Sequence, residues 1–211
     1  MSGWLTPLMP HLVVVPMLLP MFAAGVMLAF GEGHRQLKSG LSFLVCSLNF
    51  VVAASLSWWV IQHGPVAYLT ANWHAPFGIS LVADRLSTMM VMLASLIGLC
   101  AVTFSSARWD KAGVHFYPLA MLLLMGLSGA FLTGDLFNLY VYFEILLAAS
   151  YGLLLHGSGR QRVSASVHYI AVNLAASSLF LIGVTTIYGV TGTLNMADLV
   201  ESAAAVSADD R

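Results

Sequence analysis

Glu144 stands alone as a carboxylate inside a long apolar stretch at residues 136–156. If this stretch is a membrane-spanning helix, Glu144 lies ~12 Å below the membrane surface. A fixed charge near that depth costs on the order of 2.5–3.5 kcal/mol on insertion scales. The side chain escapes this cost by binding a proton or by pairing with a cation. Glu144 therefore indicates a switchable proton site, and the alternative is a structural carboxylate held by an interhelical hydrogen bond.

Other side chains share the face of Glu144 at helical spacing. They are Phe137, Tyr140, Ala148 and Tyr151, so two phenolic hydroxyls follow the same line. This pattern predicts a stripe with polar groups along one side of the fifth helix.

His168 is the second candidate, one turn into the next apolar stretch. An imidazole titrates near neutral pH and can relay a proton, although a histidine at the membrane interface can also simply donate to a carbonyl. Tyr169, Asn173 and Ser177 follow at a spacing of four and form a stripe on another face. Such a stripe favours helix–helix hydrogen bonding over proton conduction.

Two aspartates are predicted to begin helices. Asp84 precedes the third apolar helix and Asp135 follows Gly134 before the fifth. A short carboxylate at such a position accepts from free N–H groups of the first turn and opposes the helix dipole.

The composition determines which elements must position these residues. The chain is 59% hydrophobic and 8% charged, whereas a globular protein carries about 25% charged residues. Its net charge of −1 offers no field for nucleic acid. Cys46 and Cys100 fall inside predicted helices and are interpreted as small apolar residues. No sequence motif for a metal ion or a nucleotide cofactor is found, so neither is predicted.

The fold class predicted is an all-α membrane protein of about six transmembrane helices, with residues 1–190 forming the membrane region and 191–211 a polar, acidic, outward-facing tail. The predicted spans are 12–30, 41–61, 80–104, 115–133, 136–156 and 164–190.

Basic residues predict the orientation. The odd-numbered connections hold all six loop cations, while the tail is acidic. Under the positive-inside rule the odd connections are cytoplasmic and both termini face outward. The cations are Arg35, Lys38, Arg108, Lys111, Arg160 and Arg162, and the tail charges are Asp198, Glu201, Asp209 and Asp210 against Arg211.

Several segments closely resemble the D subunit of the multisubunit monovalent cation/proton antiporters (Mrp, Mnh or Pha), a fold family that includes the antiporter-like subunits of respiratory complex I. The segments that carry this resemblance are GISLVADRL at 78–86, GAFLTGDLFNLYVYFE at 129–144, SYGL at 150–153, His168-Tyr169 with Asn173, and GTLNMADL at 192–199.

The resemblance implies that Glu144 matches the helix-five glutamate that takes part in proton translocation. Its usual counterpart is a lysine on a following broken helix, in a Phe-Ala-x-Lys stretch that this sequence lacks, and His168 stands where many relatives have a lysine. Family members have about fourteen helices with two inverted five-helix repeats. The resemblance therefore implies an N-terminal portion of such a subunit.

The function expected from the resemblance is a subunit of a Na⁺ or K⁺/H⁺ antiporter complex in the cell (inner) membrane, driven by the proton-motive force. Its partners would be the lipid bilayer, other antiporter subunits and the transported ions, with no nucleic acid. One alternative is a proton-pumping membrane subunit of an NADH–quinone oxidoreductase or hydrogenase. Another is a truncated, non-transporting scaffold fragment, and only the redox alternative would make the chain part of an enzyme.

Overall fold

The computed structural model describes residues 9–73, 78–109, 113, 115–157 and 159–209. Its long helices are α1 (Val15–Ala29), α2 (Arg35–His63), α3 (Arg85–Arg108), α4 (Phe116–Leu132), α5 (Leu136–Leu154), α6 (Arg160–Thr191) and α7 (Met196–Asp209). Strands β1 (Val66–Leu69) and β2 (Ser80–Ala83) form an antiparallel pair. Short 3-10 helices lie at Pro10–Val13, Glu32–His34 and Thr70–Asn72.

The predicted fold class is confirmed. Among the described residues, α2, α3, α5 and α6 are long and apolar enough to cross a membrane, and α1 and α4 are shorter apolar helices. The chain is therefore a multi-pass membrane protein, because helices satisfy their own backbone groups in lipid.

One helix boundary was wrong: residues 80–83, predicted to begin the third helix, form β2, whose backbone pairs with β1. The segment after residue 191, predicted to be a polar tail, contains α7 from Met196 onward. Of the two cysteines predicted to lie in helices, Cys46 is buried and Cys100 is exposed on α3.

Helices α1 to α4 form a bundle around two apolar clusters, and α5 packs on α4. Gly126 and Gly129 allow this close approach. A Cβ at Gly126 would lie 2.9 Å from the backbone nitrogen of Leu146, and one at Gly129 would lie 2.3 Å from the Tyr142 ring. Helix α6 lies against α5 and is otherwise largely exposed, so α5 separates a dense bundle from an open face.

One end of the helices carries the basic residues. The Arg162 guanidinium lies 5.3 Å from the Trp109 ring centre, and His156 Nε2 donates to the Trp109 carbonyl oxygen at 3.1 Å. The α3–α4 and α5–α6 connections therefore meet at the same end. Lys111, like the tail residues Asp210 and Arg211, lies outside the described residues.

Lys38 was predicted in a loop, but the structure places it inside α2 with 2% of its surface exposed. Helix α2 begins at Arg35, six residues earlier than predicted, and Lys38 lines a small cavity with Tyr117 and Pro118 of α4. The Lys38 side chain therefore packs between α2 and α4 at the basic end and does not lie in an exposed connection.

The opposite end is a junction of three segments, β2 and residues 133–135 and 193–196, called here the loop junction. Gly134 N donates to Ser80 O at 2.9 Å, and Met196 N donates to Gly134 O at 2.8 Å. Asn195 Nδ2 donates to Ser80 Oγ at 2.8 Å. A Cβ at Gly134 would lie 2.8 Å from Ser80 Oγ, so a larger residue would have to displace the Ser80 hydroxyl.

Candidate functional site

The loop junction determines the residue at which α5 begins. Asp135 is the N-cap, and its carboxylate accepts from Asn138 N at 2.8 Å, as predicted. Asp84 caps α3 in the same way through a reciprocal capping box with Ser87. Because α5 begins at Leu136, Glu144 is its ninth residue and lies at the middle of the span.

Glu144 is half-buried in the described structure. On one side α5 is covered by α4, and on the side of Glu144 the covering element is α6. The Ser177 hydroxyl of α6 donates a hydrogen bond to Glu144 Oε1. A hydroxyl donor stabilises a carboxylate more when little water surrounds the pair, so this bond fixes one oxygen of the candidate site.

A cleft of about 200 Å³ opens beside this pair. The residues that line it come from α5 and α6, and none of them is a lysine, arginine or histidine. They are Tyr140, Phe143, Glu144, Leu147, Asn173, Ala176, Ser177 and Phe180. The charge of Glu144 is therefore met in the cleft by a hydroxyl rather than by a cation.

A second polar contact joins the same helices closer to the basic end. Ser150 Oγ and Tyr169 Oη lie 3.5 Å apart, and the rings of Tyr151 and Tyr169 pack edge to face with centroids 5.7 Å apart. Between the two contacts, Tyr151 Oη and Asn173 Nδ2 are buried without a partner among the described residues. Such groups are costly unless they bind water or a ligand.

These six residues are called here the seam: Glu144, Ser150, Tyr151, Tyr169, Asn173 and Ser177. The sequence indicated both stripes but favoured a purely structural role for the one on α6. It did not pair the stripes, and the missed partner of Glu144 is Ser177. The spacing of four from Tyr169 to Asn173 to Ser177 was the available signal, since it follows one face of a helix.

His168 lies apart from the seam. Its side chain is exposed, and Nδ1 lies 3.0 Å from the carbonyl oxygen of Ser164 one turn earlier. It precedes Ser177 by nine residues, which is roughly 13 Å along a helix. The structure therefore does not bring His168 to Glu144.

Comparison with known proteins identifies a matching family model in the C-terminal part of the chain. Residues 133–209, which hold α5, the seam and the loop junction's second and third segments, match the family model described as NADH:quinone oxidoreductase/Mrp antiporter, TM.

Two curated relatives are similar to this chain. The D subunit of a probable K⁺/H⁺ antiporter from Rhizobium meliloti is 51% identical over 100% of the chain and 39% of the relative. The D subunit of a Na⁺/H⁺ antiporter from Alkalihalophilus pseudofirmus is 42% identical over 90% of the chain and 39% of the relative. The chain thus spans about two fifths of the length of these relatives.

A solved structure shares the fold. The Mrp complex from Dietzia sp. contains a chain with 34% identity and a TM-score of 0.84, and the match covers 93% of this chain and 39% of that one. The resemblance expected from the sequence is confirmed: in sequence and fold this chain is similar to part of the D subunit of the multisubunit monovalent cation/proton antiporters.

Proposed function

We propose that this chain belongs to the subunit of a proton-motive-force-driven Na⁺ or K⁺/H⁺ antiporter complex in which Glu144 takes part in proton translocation. The observation that carries the proposal is the placement of Glu144, half-buried at mid-helix, beside a cleft and bonded to Ser177. The proposed ions, Na⁺ or K⁺ and H⁺, are those named for the antiporter subunits to which the chain is similar.

In this proposal Glu144 exchanges protons with water that enters the cleft. The ionised carboxylate accepts from the Ser177 hydroxyl, and protonation turns the carboxyl group into a donor, so the serine reorients as the proton arrives. Tyr151 and Asn173 offer the next polar groups toward the basic end. They supply donor and acceptor positions for a hydrogen-bonded path from Glu144 toward the Ser150–Tyr169 contact.

The bias on this proton comes from elsewhere in the assembly. Among the described residues no cationic side chain lines the cleft, and we propose that a helix of the assembled antiporter supplies the charge that changes the proton affinity of Glu144. Moving one charge through 100 mV supplies ~2.3 kcal/mol, which is enough to shift such a site.

The orientation follows the basic residues. We propose that the end holding Arg160 and Arg162 is cytoplasmic and that the loop junction faces the outer side of the inner membrane. Positively charged connections near helix ends are retained in the cytoplasm, and a cysteine-accessibility assay on residues at the two ends would test this orientation.

The test is cation/proton exchange in inverted vesicles that contain the complete complex. Glu144→Gln should abolish exchange, because an amide keeps the shape of the side chain but cannot carry the proton. Glu201→Gln makes the same change at an exposed carboxylate of α7 and should leave exchange intact. Undiminished exchange at every pH in Glu144→Gln would overturn the proposal.

A second candidate is a proton-pumping membrane subunit of a quinone-reducing respiratory complex. The observation that favours it is the matching family model, whose description covers NADH:quinone oxidoreductase and Mrp antiporter alike. It predicts that the purified assembly contains redox subunits and that proton movement stops without electron transfer. Exchange in their absence supports the antiporter.

A further inference from the structure

A layer of polar groups crosses the middle of the α1–α4 bundle. In α2, Cys46 belongs to one apolar cluster and Ala53 to the other, and Asn49 lies between them. In α4, Leu124 and Leu132 belong to the two clusters and Ser128 lies midway. Because the clusters are shared by the helices, Asn49 and Ser128 stand at the same level of the bundle.

These two residues are fully buried and lack partners. Both have 0% of their surface exposed. Asn49 Oδ1, Asn49 Nδ2 and Ser128 Oγ form no hydrogen bond with any described residue. An orphaned polar atom in such a place costs about 1–3 kcal/mol, so three of them on one level indicate a bound group that satisfies them.

The first helix adds a backbone acceptor. Pro20 lies inside α1, between Met17 of one cluster and Ala23 of the other, and is fully buried. A proline has no N–H to donate to the carbonyl four residues earlier, so the Pro16 carbonyl lacks its helical donor. On α3, the Ser95 hydroxyl at this level donates a hydrogen bond to the Val91 carbonyl oxygen at 2.8 Å.

The chemistry of Asn49 selects the ligand. Its amide nitrogen needs an acceptor and its amide oxygen needs a donor. A cation would leave the nitrogen unpaired, and an anion would leave the oxygen unpaired, whereas water donates and accepts. Internal waters in proteins typically make about three hydrogen bonds to such groups. We propose that the α1–α4 bundle holds an internal water site formed by Asn49 and Ser128, with the Pro16 carbonyl as a further acceptor.

This site lies at the depth of Glu144 but on the other side of α4. Gly126 of α4 packs between Tyr142 and Leu146 of α5, which places Ser128 near the level of Phe143 and Glu144. The water site therefore gives the bundle a hydrated layer at mid-membrane that is separate from the seam, and it stands whether or not Glu144 carries protons.

The test is a high-resolution cryo-EM map of the complete antiporter complex. The expected result is water density within hydrogen-bonding distance of the Asn49 amide and Ser128 Oγ, and loss of that density in Asn49→Leu. Ser105→Ala is the matched control, since Ser105 is buried and bonded to the Val102 carbonyl of its own helix, and its map should retain the density. An Asn49 amide bonded only to protein groups, or packed without density, would overturn the proposal.

A second measurement tests the proposal if Asn49→Leu prevents assembly of the complex. Radiolytic hydroxyl labelling marks buried side chains that adjoin bound water. Cys46, one turn from Asn49 and 0% exposed, should be labelled in the wild-type complex, and Ser128→Ala should reduce that labelling while Ser105→Ala does not. Absence of labelling at Cys46 in the wild-type complex would contradict the site.

Discussion

The loop junction and the seam both contain several polar side chains, but their hydrogen bonding differs. In the loop junction, Asn195 uses both amide atoms, with Oδ1 accepting from Ala197 N at 3.0 Å. In the seam, the Asn173 amide nitrogen and the Tyr151 hydroxyl have no partner among the described residues. The polar groups of Asn195 in the loop junction are therefore satisfied, whereas the seam contains polar groups without a partner among the described residues.

This difference predicts that substitutions in the two regions have different effects. A satisfied network stabilises one arrangement and resists change, whereas partly satisfied groups beside a cleft can bind water and exchange a proton. We therefore expect substitutions in the loop junction to lower the stability of the complex, and those in the seam to lower exchange by each assembled complex.

Asn195→Ala should have the largest effect on stability. It removes the bond to Ser80 Oγ and the one from Ala197 N, and the loss of two bonds at a buried residue predicts destabilisation by about 2–3 kcal/mol. The midpoint of thermal unfolding of the purified complex should fall. The exchange rate per assembled complex should match that of the wild type. A loss of exchange without a loss of stability would contradict the assignment of the loop junction to stability alone.

Asp135→Ala should have the next largest effect. Loss of the N-cap of α5 typically costs about 1 kcal/mol, which thermal unfolding detects as a smaller shift in the same direction. Asp135→Asn is the matched control because asparagine caps equally well, so its unfolding midpoint should stay at the wild-type value. Equal destabilisation by both variants would mean that the negative charge, rather than the cap, matters here.

Ser177→Ala should change stability by less than about 1 kcal/mol, yet lower the exchange rate, because it removes the donor that orients Glu144. Ser178→Ala is the control, since that hydroxyl bonds the Leu174 carbonyl of its own helix at 2.8 Å. Exchange assays in vesicles with equal amounts of complex compare the two. Equal rates would show that Ser177 plays no part in proton transfer.

His168→Gln should have the smallest effect. The side chain is exposed and contacts its own helix, and surface changes of this kind stay within about 0.5 kcal/mol. Exchange across the pH range should equal that of the wild type. A lower rate confined to one side of neutral pH would instead support the relay role predicted from the sequence.

The sequence predicted the membrane class, the position of Glu144 on α5 and both aspartate caps, because these depend on local composition and spacing. It did not predict the loop junction, since β2 pairs with β1 across a connection, and Asn195 and Ser80 are joined over a separation of 115 residues. Short strands at a membrane surface resemble the start of an apolar helix in a single sequence.

The pairing of Ser177 with Glu144 was missed for a related reason. Helical spacing shows which residues share a face, but the rotation of α6 about its axis depends on packing against α5. Lys38 illustrates the opposite error. This basic residue was predicted to lie in the first connection, whereas α2 begins earlier and buries the side chain against α4.

The most direct measurement of the central claim is infrared difference spectroscopy on the complete complex during cation-driven proton exchange. Protonation of a carboxylate produces a carbonyl stretching band of the carboxyl group, and this band should appear and disappear as protons are exchanged. We predict that this band is present in the wild type and in Asp135→Asn, and is missing in Glu144→Gln. An unchanged band in Glu144→Gln would contradict the proposal that Glu144 carries the proton.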